Sequence, residues 1–215
     1  MKNIILILNL FISSIVFGQT VEETLQAIPT YNQATVFDDT TYSETTWQEF
    51  YQIKDILTPI DYKNIDLGLL NACMLYATNK IRAKYNKAPL SFQNQLRDAA
   101  MIHSYNMVKQ NFFSHENPKP GIYKTMKSRI EANKYFGEGI AENIYKGFLD
   151  TEKPKSYIAL AEEAINRFYS SPEHKANMLN PKYTECGQAC YFYSSPKDGY
   201  IYYTVTQNYG YPWKE

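Results

Sequence analysis

After Pro181 the hydrophobic period changes from the 3.6-residue repeat of helices to a two-residue alternation, and no other feature restricts the fold as much. Cys190 and Phe192, then Ile201, Tyr203, Val205 and Gln207, alternate across the turn residues Ser194-Ser195-Pro196-Lys197-Asp198-Gly199, which predicts a hairpin. The same alternation puts Tyr202, Thr204 and Thr206 on the opposite face from Ile201, Tyr203 and Val205. Upstream, helical spacing prevails. Asp66 is a plausible N-cap for a helix carrying Leu70, Met74, Ala77 and Ile81, ended by Asn86 to Pro89. Further helices are predicted over 94–110 (Leu96, Ala100, His103, Met107 on one face), 123–132 and 156–169 (Ala161, Ile165, Phe168 inward). Ile140 to Tyr145 reads as a short strand. Helices before and between a few strands, without a βαβ repeat, predict an α+β domain with a small antiparallel sheet covered by helices.

The chain opens with Lys2, an apolar run centred on Ile4 to Leu10 and a small-residue exit at Val16-Phe17-Gly18. This is the pattern of a signal peptide over 1–18, cleaved near Gly18-Gln19, which implies a secreted or periplasmic protein. No later apolar run is long enough for a transmembrane anchor. Residues 19–65 form an N-terminal appendage with one amphipathic stretch, in which Trp47, Phe50, Ile53 or Lys54, and Leu57 recur before Thr58-Pro59. That helix is expected to pack on the main domain, residues 66–215, near residues 66 to 85.

Twenty-two basic and twenty-two acidic residues cancel, so there is no electrostatic footprint for nucleic acid. Cys73, Cys186 and Cys190 are an odd set. The odd set allows at most one disulfide, and Cys186 and Cys190 lie too far apart along a strand to bridge unless a bulge folds the segment back, so stability is expected to come from the core.

Of the three histidines, His103 falls on an apolar helical stripe and reads as a satisfied core residue. His115, in Asn111-Phe112-Phe113-Ser114-His115-Glu116, has two aromatics to anchor it. His174 follows Ser171, a good N-cap, and Pro172, suited to a first helical position. In that first turn the helix dipole disfavours the imidazolium and keeps the ring available as a base or metal ligand. Glu142 and Asn143 lie on the short strand, where a carboxylate must face solvent or find a partner.

Six segments in order resemble the CAP superfamily (cysteine-rich secretory, antigen 5 and pathogenesis-related proteins), in its bacterial SCP-domain branch. They are Asn79-Lys80-Ile81-Arg82 with Pro89-Leu90; Ala100, His103-Ser104 and Met107; Phe113-Ser114-His115; Ala141-Glu142-Asn143-Ile144; Ser171 to Leu179; and Tyr183-Thr184 before Gly187. The resemblance implies an α-β-α sandwich, helices on both faces of the sheet, with a cleft lined by His115, His174 and Glu142. The family's second glutamate falls at Ser171 and its tryptophan at Phe168, so the tetrad reduces to a triad; Glu173 and Glu163 are the candidates to substitute. The implied cleft comprises Glu142, Asn143, Ser171 and Glu173, with His115 and His174 as ligands for a weakly held Zn2+. The function expected is a secreted binding module for a lipid, peptide or cell-envelope ligand. The alternative is a zinc-dependent, peptidase-like hydrolase in which Glu142 is catalytic and activates water.

Overall fold

The computed structural model describes residues 20–29, 45–150, 152–194 and 200–213. The leader at 1–18 and the turn residues 195–199 lie outside the described residues. In chain order the elements are α1 (Val21–Gln26), α2 (Trp47–Phe50), a 3-10 turn (Lys54–Leu57), α3 (Leu67–Lys84), β1 (Ser91–Phe92), α4 (Asn94–Lys109), α5 (Met126–Ala132), β2 (Gly137–Leu149), α6 (Tyr157–Ser170), α7 (Pro172–Leu179), β3 (Glu185–Ser194) and β4 (Ile201–Pro212).

The sheet has the order β1-β3-β4-β2. β4 runs antiparallel to both β2 and β3, and the two-residue β1 adds a parallel edge to β3. Alternation then assigns each face its helices. Gln207 donates to Thr78 Oγ1 on α3 at 3.0 Å, and Gln188 to the Asn71 carbonyl of the same helix at 2.6 Å. On the opposite face Thr204 Oγ1 donates to the Ser104 carbonyl of α4 at 2.9 Å and Asn208 Nδ2 to that of Leu96 at 3.0 Å. At Gly187 the first turn of α4 lies directly on β3, since a Cβ there would be 2.2 Å from Arg97 N. The sheet is therefore covered by α3, α6 and α7 on one side and by α4 on the other. This is the α-β-α arrangement expected.

Several boundaries differ from the sequence expectation. The strand at 140–145 extends over Gly137–Leu149, because pairing with the whole of β4 overrides the glycines that weaken its local signal. The helix expected from 123 begins only at Met126, capped reciprocally by Thr125 and Ser128. The Trp47 stretch is a four-residue helix, a break at Ile53 and a 3-10 turn, so Ile56 points inward and Leu57 is 65% exposed. Its anchor is Phe50, whose ring stacks on Tyr76 of α3 at 4.1 Å between centroids. Leu25, Ile28, Phe50, Ile56, Ile60 and Ile65 join the same core as the main domain's helices.

Two buried polar side chains hold α7 in place. Arg82 of α3 is fully buried and has no carboxylate partner among the described residues; it donates to the carbonyls of Ala88, Met178, Asn180 and Tyr183, tying the end of α7 to α3. The other is Asn143 of β2. Cys73, Cys186 and Cys190 are free and buried, and burial pushes each thiol far up. Cys186 and Cys190 both face the α3 side of β3, as strand alternation requires.

Candidate functional site

The site forms around β2, the outermost strand on one side of the sheet, where Glu142 and Asn143 are neighbours in sequence but project to opposite faces. Glu142 turns to the α4 side. Its carboxylate is almost wholly buried, 1% exposed, and both oxygens are engaged. Arg129 Nη2 donates to Oε2 at 2.8 Å and to Oε1 at 3.0 Å, and His115 Nδ1 lies 3.0 Å from Oε1. Burial would raise the Glu142 carboxyl, but the His115 hydrogen bond and the Arg129 guanidinium outweigh it and hold it below the usual carboxylate range. Arg129 also donates to the carbonyls of His115, Tyr123 and Lys124, so one guanidinium binds the His115 loop, the start of α5 and the strand together.

His115 is reached by a helix stop at the end of α4. Asn111 takes a left-handed conformation (φ 54°) and the amide of Phe112 donates to the Met107 carbonyl at 2.9 Å, closing a Schellman-type turn. Of the two aromatics expected to anchor the loop, Phe112 packs on His103, ring centroids 5.9 Å apart, whereas Phe113 is 51% exposed. Because Glu142 is an ionised acceptor, the neutral His115 ring carries its proton on Nδ1 and its lone pair on Nε2. Its side chain is 53% exposed.

His103 is buried, as expected, but it is not fully satisfied. Nε2 lies 3.0 Å from the Ser114 carbonyl and 3.7 Å from Glu142 Oε1, while Nδ1 is buried without a partner. Burial lowers its pKa to about 4, so the ring is neutral at physiological pH. Ser114 and Glu142 thus join His103 to the site. Arg129 was not legible in the sequence. Its only signal is indirect: a strand glutamate that is buried requires a cation, and the spacing around Arg129 does not single it out.

His174 lies in the first turn of α7, on the other side of β2. Its ring meets Phe168 edge to face at 5.3 Å between centroids, and its carbonyl accepts from Asn143 Nδ2 at 3.1 Å. Asn143, fully buried, also accepts from Asn177 Nδ2 at 2.9 Å and donates to Tyr209 at 3.2 Å. Burial first, and the charge of His115 second, lower the His174 pKa, while Glu173 opposes them. The charge of His115 therefore reaches the His174 ring. Glu142 meets His115 directly; His174 joins them through Asn143 and the strand rather than by a hydrogen bond to either.

The remaining carboxylate candidates do not enter this constellation. Glu163 is ion-paired with Lys155, and Glu173 is exposed on its own helix turn. Ser171 occupies the N-cap position of α7 and Pro172 the first helical position, but the Ser171 side chain makes no capping hydrogen bond. Among the described residues no group of three or more His, Cys, Asp or Glu side chains is arranged to hold a metal ion. Glu142 lies behind His115, where it would orient the ring of a cation ligand rather than serve as a ligand itself.

The family model of the cysteine-rich secretory protein family, CAP, matches residues 75–209, a span that contains His115, Glu142 and His174. The chain belongs to that family. Two Bacillus subtilis proteins share part of this CAP chain. The uncharacterized membrane protein YlbC is 29% identical over 114 residues, covering 53% of the chain and 29% of its own length. The uncharacterized protein YkwD is 31% identical over 111 residues, covering 51% and 38%. The chain thus spans well under half the length of either relative. Among solved structures, an extracellular SCP-domain protein of Bacillus anthracis superposes with a TM-score of 0.53 at 24% identity, over 71% of this chain and 44% of its own. An outer surface protein of Borrelia burgdorferi superposes with a TM-score of 0.50 at 18% identity, over 73% and 98%. At these identities the likeness is one of CAP fold.

Proposed function

We propose that this CAP protein is an exported, non-catalytic binding module whose cleft at His115 and His174 accepts a lipid, peptide or cell-envelope ligand. The supporting observation is the state of Glu142. A general base must be free to take a proton from water, and here both carboxylate oxygens are held by a buried arginine and by His115. The carboxylate instead holds the His115 ring, keeping the Nε2 lone pair available.

Two imidazoles would give a divalent cation such as zinc two protein ligands, short of the three of a committed zinc hydrolase, so metal would be held weakly. A bound cation would supply charge to orient a ligand's carbonyl or phosphate oxygen. Export is favoured by the leader-like start of the sequence and by the extracellular and surface settings of the two proteins of like fold. Among the described residues no helix is long and apolar enough to cross a membrane.

Mass spectrometry of metal and small molecules retained by protein purified without chelator tests this reading. A retained ligand lost in His174→Ala supports it. If no metal co-purifies and added zinc leaves the melting temperature unchanged, the metal part fails. Turnover of peptide or ester libraries that disappears in Glu142→Gln would sink the binding reading in favour of the hydrolase.

A further inference from the structure

At the start of β2, about 16 Å along the strand from Glu142 at 3.3 Å per residue, the same strand borders a second concave site. A cavity of about 340 Å³ lies between the end of α5, the beginning of β2 and the residue that follows β4. Ile130, Tyr135 and Ile140 give it an apolar lining, and Phe136 and Trp213, 61% and 64% exposed, are its two open aromatic rings.

The strand register shifts between Gly137 and Gly139, so Glu138 sits on a bulge. A bulge re-aims the side chain it carries, and the exposed Glu138 lines this cavity. Glycine is needed at 137, where a Cβ would be 2.4 Å from the Tyr211 carbonyl oxygen, and at 139 it lets the Tyr211 ring lie close, 2.3 Å from where a Cβ would be. Lys127 and Glu131 also line the cavity and are bridged to each other at 3.7 Å. One lysine against two glutamates leaves the lining with a net negative charge.

We infer that this cleft binds a quaternary ammonium group carried on a small organic molecule. Aromatic faces attract cations through the ring quadrupole, and a carboxylate adds Coulomb attraction. A quaternary ammonium has no N–H, so it requires no set of acceptors and buries its methyl groups against apolar walls. A primary ammonium brings three donors, of which the Glu138 carboxylate can accept some while the isoleucine and ring surfaces leave the others unmet. The cavity is at the lower end of the size range of small-molecule sites, and it stands independently of the histidine cleft.

The chain has two tryptophans, so Trp47→Phe leaves Trp213 as the single reporter. In that background choline, its neutral isostere 3,3-dimethylbutanol and n-butylammonium are titrated against the Trp213 indole N–H resonance. Choline should shift the resonance saturably, and each of the other two should bind about tenfold more weakly. Glu138→Gln, a surface change, should weaken choline by a similar factor. The inference is overturned by a choline titration that does not saturate, by equal binding of the neutral alcohol or of n-butylammonium, or by a Glu138→Gln protein that binds choline unchanged.

Discussion

Glu142 and Arg129 depend on one another because both side chains are out of water, at 1% and 0% exposure. Removing one partner of such a pair leaves an uncompensated buried charge, at a cost of about 3–5 kcal/mol. Arg129→Met should therefore lower the unfolding free energy read from urea denaturation by that amount, and Arg129→Met with Glu142→Leu should recover part of it, since neither charge remains. His103 gives the site a pH dependence of definite sign. Its pKa falls from 6.5 in the unfolded chain to about 4 in the fold, so the unfolded state binds the proton first as pH drops. The stability tied to a neutral His103 is complete above about pH 6.5 and is lost between there and about pH 4, a span worth about 3 kcal/mol. Urea midpoints measured across this range should fall more steeply for the native chain than for His103→Gln, which can still donate to Ser114. At this scale the sequence names His115, Glu142 and His174 as candidates, and His103 is buried as its apolar stripe predicts. It could not recover Arg129, since that partnership joins α5 to β2 and follows no local spacing.

Helix α7 carries His174 but has only eight residues, too few to persist by itself. It is held by Arg82 at its C-terminal end and by Asn143 through the His174 carbonyl and Asn177. Asn143→Ala should cost about 1–3 kcal/mol, the range for unpairing buried polar groups. Hydrogen exchange should accelerate in the amides of α7 while those of β3 and β4 stay protected; uniform acceleration would show that α7 is not a separate opening unit. The long helices α3, α4 and α6 end within a residue or two of their expected limits, and Asp66 and Ser156 cap the first and last of them. The Trp47 segment departs from the single expected helix because an apolar spacing of three or four residues fits an α-helix and also a helix broken into a 3-10 turn, and contact with α3 and α6 decides between them. The extent of β2 was underestimated for a related reason: Gly137, Gly139 and Gly147 each lie against a tyrosine of β4 or its side chain, a fit visible only once the strands are paired.

Across the whole molecule, the N-terminal segment belongs to the same core as the CAP domain, so the described part of residues 20–65 acts as a packed layer. Phe50→Ala should cost about 3–5 kcal/mol, as for other buried phenylalanines, read as a drop in melting temperature. The three cysteines should be unreactive to Ellman's reagent in the native protein and all three reactive in guanidinium, and dithiothreitol should leave the melting temperature unchanged. Periodicity in the sequence alone determined the long helices α3, α4 and α6, the β3–β4 hairpin and the α+β class, because these follow from spacing and local chemistry. The tertiary structure decided which face of β4 lies under which helix, that Glu142 is clamped by Arg129, and that His174 stands across the edge strand from His115. Those facts depend on partners far apart in the chain, and the pairing of opposite charges in a dry interior is settled only when the whole sheet and its helices close around them.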